Sequence, residues 1–499
     1  MNEQADYLVI ETDKAEIRGR AARGAVYTTA SQAIKTLINI ASQLVLSHLL
    51  LPHEFGIVAM VAPVLAFVCL FQNLGISAAI IQRDRISQAD LSALYWLGIA
   101  VSTVCSVVVV LLSPAIAWAY KAPQVKAVVV ALALQIPIGA LAGHASALLS
   151  RNMQFGRIAV VEIVSASVGL IVSVAAALQH AGYWALVIGQ LAQSCTSAIG
   201  EWKLAGWHPS RPRWTPSVSS MLRFGANFTG YNILSTFSYY SDNVLVGAIS
   251  GPAALGLFDR GFSLVLRPLG SITAPIGRVA TPLLARMISD PAAYRRSYLA
   301  MLQCLILIGS PGLIVGCIMS DEVVTILLGR AWLGSAPIIS CICIAAMFTA
   351  LSGSSGWLFT SQGRANDQLK CGLISSSLIL ISMLVGLPWG MVGIAFSYAL
   401  FAPVVHGCFI WMATRSGPIR KKDIFLALYP IVFSLFCSAV GVLIFHLFCK
   451  LPKNILVLTG LCVSYGLSFG VFSLYPKGRH TLTFIIALGK HFRPDPLRT

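Results

Sequence analysis

Arg260, Arg267 and Arg278 lie in one apolar stretch, spaced by seven and eleven residues. At about 100° per helical residue, both spacings return to within about 20° of the starting face, so a helix would carry the three as one stripe. Guanidinium groups are planar, permanently charged forks that match phosphate and carboxylate oxygens, so the stripe suits an anionic ligand. A second stretch places Lys35 among Thr28, Ser31, Asn39 and Ser42 at helical spacing. In a third, Asn227, Tyr231, Ser235, Ser238 and Asp242 fall within an arc of about 80° on the same geometry. Charge inside a bilayer costs several kcal/mol, so these groups should face water or a partner. Arg260 and Arg278 sit near the ends of their stretch, where snorkelling to the headgroups is an alternative. Lys35 and Arg267 are too deep for that. The expected binding cavity is therefore lined by Lys35, Arg267, Arg260, Arg278, Asn39 and Ser235. Among the acids, Asp259 can neutralise only its neighbour Arg260. Glu162 is either an ion-pair partner or a proton site, and Asp242 either pairs with an arginine or carries coupling. Pro268, Pro275 and Pro282 recur every seven residues beside the arginines. Each removes a backbone hydrogen bond, which makes this helix a candidate bending element.

These residues are carried by a chain that is 57% hydrophobic and only 11% charged, with a mean hydropathy of +0.79. A bilayer core takes about 20 apolar residues per helix. Fourteen such segments are predicted, at 24–50, 55–82, 91–119, 127–149, 158–178, 183–205, 224–249, 253–286, 297–319, 336–360, 368–387, 389–413, 425–448 and 454–475. The expected fold is an all-α polytopic membrane protein. The net charge of +17 would suggest nucleic acid in a soluble protein. Here most Lys and Arg fall in alternate connections, the positive-inside pattern that puts both termini in the cytoplasm. No cleavable signal peptide is expected, since residues 1–23 lack an apolar core.

The chain also repeats. Pro52-His53-Glu54-Phe55-Gly56-Ile57 returns two hundred residues later as Pro252-Ala253-Ala254-Leu255-Gly256-Leu257. Six crossings separate the copies, so the halves share one orientation, a parallel repeat about an axis along the membrane normal. The expected division is a cytoplasmic segment 1–23, a six-helix bundle 24–205, a Pro- and Trp-rich linker 206–223, and a second bundle 224–413. Helices over 414–475 form an appendage, and a basic tail 476–499 follows. The twelve cysteines lie mostly in predicted helices and read as small apolar core residues. No nucleotide-binding loop, hydrolase elbow or metal-ligand spacing is present, so neither an enzyme, a cofactor nor a metal is expected.

Six runs carry a family resemblance. LLLPHEFGIVAMV with NLGISAAIIQRDRISQADLSALYW, and later SMLRFGANFTGYNILSTFSYYSDNVLVG, GLFDRGFSLVLRPLGSITAPIGRVATPLLARM, GRAWLGSAP and WLFTSQGRAND, resemble the bacterial polysaccharide-transporter (Wzx-type) flippases. These form a branch of the multidrug/oligosaccharidyl-lipid/polysaccharide exporter superfamily. The resemblance covers about residues 20–415 and implies translocation of undecaprenyl-diphosphate-linked oligosaccharide repeat units across the inner membrane, for exopolysaccharide, capsule or O-antigen assembly. It implies a lipid-linked anionic cargo, alternating access, and polysaccharide polymerase and chain-length proteins as partners. A multidrug or cation antiporter of the same superfamily is the first alternative, though its cavity should be acidic. A membrane polymerase or ligase is the second, though it should show a large outer loop.

Overall fold

A computed structural model describes residues 7–9, 14–73, 80, 85–212, 216–449 and 451–475, with the side chains of 7–9, 14–23, 25–26, 70–73, 85 and 216–239 outside the description. The chain is a helical polytopic membrane protein. It divides into two compact units, Met1–Gly256 and Leu257–Thr499. Nine stretches among the described residues are long and apolar enough to cross a bilayer, with Ala365–Ala413 counted as one.

The first unit begins with α1 (Lys14–Leu49), α2 (Pro52–Asn73), α3 (Gln88–Ala119) and α4 (Gln124–Ala133). It continues through α5 (Gln135–Arg151), α6 (Phe155–Leu178) and α7 (Trp184–Ala205). α1 starts ten residues before its apolar segment, and the 127–149 segment is split at Leu134 into α4 and α5. α6 packs on α7 and on α1, and α5 packs on α7. Small residues permit the closest approach of α6 and α7, as expected for membrane helices. A Cβ at Gly189 would press on Ser173, and one at Gly200 would meet Val161 at 3.0 Å. A feature unforeseen from sequence is a two-stranded antiparallel ribbon, β1 (Tyr7–Val9) on β2 (Arg85–Ser87), registered Leu8 opposite Ile86. Ile86 is buried against Ile80, Leu91, Leu94 and Leu148, which anchors β2 to the first unit's core.

α8 (Pro216–Arg286) joins the predicted 224–249 and 253–286 segments in one long element. Its one non-helical residue is Gly251, at φ 80° and ψ 179°, a conformation essentially reserved for glycine. The helix runs unbroken through Pro268, Pro275 and Pro282, and its one departure from helical dihedrals is at Gly251. Just after it, the two repeat copies touch within the first unit. Gly56 lies against the Pro252 carbonyl, and Gly256 lies against the Pro52 carbonyl, so closely that neither position has room for a Cβ.

The second unit holds the rest of α8, then α9 (Pro291–Ile318), the short α10 (Ser320–Leu327), α11 (Ala336–Ser361), α12 (Ala365–Gly386), α13 (Gly390–Ala413), α14 (Lys421–Phe448) and α15 (Lys453–Leu474). α12 and α11 both pack on α13, and α9 packs on α11, α14 and α15. The last two helices share the unit's core: Ile424, Ile431 and Phe472 join the cluster of Tyr298, Leu302 and Leu358. At their crossing with α9, Ser464 donates to the Pro311 carbonyl at 2.9 Å and meets Ser438 at 2.8 Å.

Candidate functional site

In the first unit, the polar face of α1 meets α6. Lys35 Nζ lies 3.5 Å from Glu162 Oε1, with both side chains 29% exposed. One turn earlier on α1, buried Ser31 donates from Oγ to Glu162 Oε2 at 3.4 Å. The α1 periodicity explains this: Ser31 and Lys35 are i and i+4 on one face, and α6 supplies the carboxylate opposite them. Asn39, one turn further, is exposed. Asp242, on α8, is buried, and its Oδ1 accepts from the Asn243 amide at 2.8 Å. The side chain of Ser235 lies outside the described residues, as do those of Asn227, Tyr231 and Ser238.

A residue of weight here is one that sequence reasoning passes over. Glu201 lies near the end of α7 beside Lys203, where an acid next to a base reads as an ordinary surface pair. Instead its side chain is buried, 6% exposed. Ser197 Oγ, one turn back, donates to its Oε1 at 3.1 Å. Its Oε2 has no hydrogen-bond partner among the described residues, and Glu201 feels the charges of both Glu162 and Lys35. The available signal was positional: Glu162 and Glu201 fall on consecutive helices that a tight turn makes antiparallel neighbours.

In the second unit, α8 carries the arginines. Arg260 is mostly covered, its side chain 15% exposed, with Nε 3.8 Å from Asp259 Oδ2. Arg267 and Arg278 are both exposed, and neither forms an ion pair among the described residues. They share their surface with Pro268, Gly270, Ser271, Pro275 and Pro282, all exposed as well. At 3.6 residues per turn these positions form one continuous face. That face is cationic and otherwise built from small side chains, so it leaves access to the charges. Ser271 caps its own backbone, donating to the Arg267 carbonyl at 3.1 Å. Asp259 and Arg260 thus form a local pair, while Arg267 and Arg278 carry positive charge with no ion-pair partner among the described residues.

Fold and site together define a multi-pass membrane protein with the architecture of the lipid and drug exporters. The structure is similar to that of the lipid II flippase MurJ in an inward closed conformation, with a TM-score of 0.69, 10% identity, and coverage of 90% of this chain and 98% of that one. It is also similar to an inward-facing multidrug resistance MATE family transporter, with a TM-score of 0.59, 14% identity, and coverage of 79% and 96%. The model of the polysaccharide biosynthesis protein family matches residues 45–337, and the chain belongs to that family. Among curated relatives, it is 27% identical to the teichuronic acid biosynthesis protein TuaB of Bacillus subtilis, over 69% of this chain and 71% of TuaB. It is 23% identical to the lipopolysaccharide biosynthesis protein WzxC of Escherichia coli, over 77% and 79%.

Proposed function

We propose that this protein is a flippase that carries undecaprenyl-diphosphate-linked oligosaccharide repeat units across the inner membrane, for exopolysaccharide, capsule or O-antigen assembly. The observation that carries the reading is the exposed face of α8. Arg267 and Arg278 stand on it without ion-pair partners among the described residues, in a chain of the polysaccharide biosynthesis family. Two such cations in a bilayer require water or an anion opposite them, and a lipid diphosphate supplies the anion. Arg forms paired, charge-assisted hydrogen bonds with phosphate oxygens. Lys35 in the first unit is the matching cation, held by Glu162 until an anionic cargo competes for it. Arg260 and Arg278 act as flanking stations, and Asn39 and Ser235 as neutral hydrogen-bonding groups for sugar hydroxyls. Asp242 and Asp259 are candidates for coupling or charge balance.

Transport proceeds by alternating access, with the lipid tails remaining in the bilayer and α8 as the bending element. Both termini face the cytoplasm, by the distribution of Lys and Arg. The product would pass to polymerase and chain-length proteins. The multidrug-antiporter reading has the shared architecture in its favour, but a cationic drug would meet Arg267 and Arg278 with repulsion.

Charge-neutral Lys35→Gln and Arg267→Gln test the proposal in a strain lacking the chromosomal copy. Polymer export should fall at least tenfold, lipid-linked repeat units should accumulate, and drug sensitivity should stay unchanged. Normal export by both variants at parental protein levels refutes it.

A further inference from the structure

We propose that Glu201, with the Lys35–Glu162 pair, forms a proton-binding site in the first unit. The geometry separates two carboxylates with unequal surroundings. Glu162 is partly open to water, paired with Lys35 at 3.5 Å and bonded by Ser31 at 3.4 Å. Glu201 is sealed, holds a single donor from Ser197 at 3.1 Å, and has a second oxygen, Oε2, with no partner among the described residues. An ionised carboxylate oxygen buried without a donor is costly. Two carboxylates that share one ammonium carry a net charge of −1, and a single proton brings the cluster to zero. The proton would sit on Oε2, the oxygen with no partner among the described residues.

Among the described residues, the groups around Glu201 leave no other cation to take that role. Its own helix contributes Ser197 and the exposed Lys203. From α6 come Glu162 and Arg157, and the Arg157 Nη1 is engaged with Gln154 Oε1 at 3.0 Å and the Leu204 carbonyl at 3.2 Å. α1 contributes Lys35. α5, which packs on α7, carries His144, buried in edge contact with the ring of Tyr95. Gly200 packs so closely on Val161 that an added Cβ would meet it at 3.0 Å, which keeps α6 and α7 together beside the site. A proton there also sets the charge met by an anion at Lys35. With both carboxylates ionised the cluster repels a diphosphate, and with one protonated it does not. This last consequence rests on the flippase reading, whereas the proton site does not.

Infrared difference spectroscopy of the full-length protein in lipid nanodiscs, stepped in pH, reads the carbonyl band of a protonated carboxylic acid without any cargo. Glu201→Gln should lose one such band. An unchanged difference spectrum in E201Q overturns the proposal. Two gentler variants serve if E201Q misfolds. Ser197→Ala removes the donor that favours the ionised form, and Lys35→Gln removes the cation, so each should move the midpoint of the band to higher pH. Midpoints equal to the parent's in both variants also overturn the proposal. If the band behaves as expected while Lys35→Gln and Arg267→Gln still export polymer, the proton site stands and the cargo assignment falls.

Discussion

Replacing Gly56 by alanine reverses the usual sign of a helix substitution. Gly56 lies inside α2 with ordinary helical geometry, where alanine would normally stabilise by roughly 0.5–1 kcal/mol. In the folded protein, however, the new methyl group would overlap the Pro252 carbonyl and press on its Cα, 3.0 Å away. These are backbone atoms in a turn, so no rotamer change relieves the clash. Overpacking of a close contact costs about 1–3 kcal/mol, and overlap with fixed backbone belongs at the upper end, which exceeds the propensity gain and leaves a net loss of roughly 2 kcal/mol. Gly256→Ala should behave alike, because the Pro52 carbonyl faces it in the same way. Gly353 is the control: it is exposed within α11, and a methyl group there would have nothing within 4 Å, so Gly353→Ala should gain stability. Thermal unfolding of the purified variants in one detergent provides the assay. The midpoint should fall by a few degrees for G56A and G256A and hold or rise for G353A. Should G56A and G256A unfold at or above the parent temperature, the two repeat copies do not meet as described.

Two further outcomes follow from backbone and hydrogen-bond geometry. Gly251→Ala should lose about 1–3 kcal/mol through its φ of 80° alone, since nothing lies within 4 Å of the position; a parental unfolding midpoint would count against the bend. Arg364 ties the end of α13 to the start of α12. Its guanidinium donates to the carbonyls of Met412 at 2.9 Å, Ala413 at 3.0 Å and Ser416 at 2.7 Å, and its Nη2 pairs with Asp367 at 2.8 Å. Arg364→Ala should cost about 2–4 kcal/mol by leaving helix-end carbonyls unpaired. Arg364→Lys should rescue little, because a single ammonium cannot span the same acceptors; full recovery of the unfolding midpoint in R364K would contradict that assignment.

Class and periodicity were legible in the sequence because both are local. Long apolar runs can only be satisfied as helices in lipid, and every described part of the fourteen expected segments includes helix. The arginine stripe was equally legible, since seven and eleven are helical spacings whatever the helix packs against, and Arg267 and Arg278 do lie exposed along one face. The repeat was visible as well, and so was the break between 249 and 253.

Partner choice was not legible, because it depends on which helix faces which. Lys35 belongs to a polar stripe in the sequence, but only the packing of α1 on α6 gives it Glu162. Glu201 looks like half of a surface pair until the packing of the first unit buries it. The helices over 414–475, an appendage by sequence, enter the core of the second unit through Ile424, Ile431 and Phe472. The echo of Pro52–Gly56 in Pro252–Gly256 is a similarity of composition until the backbone brings each glycine against the other copy's proline carbonyl. Hydropathy and spacing thus determined that this chain spans a membrane and which helix faces carry charge. Tertiary packing alone decided which charges are neutralised, which carboxylate oxygen has no partner among the described residues, and where the chain has no room for a methyl group.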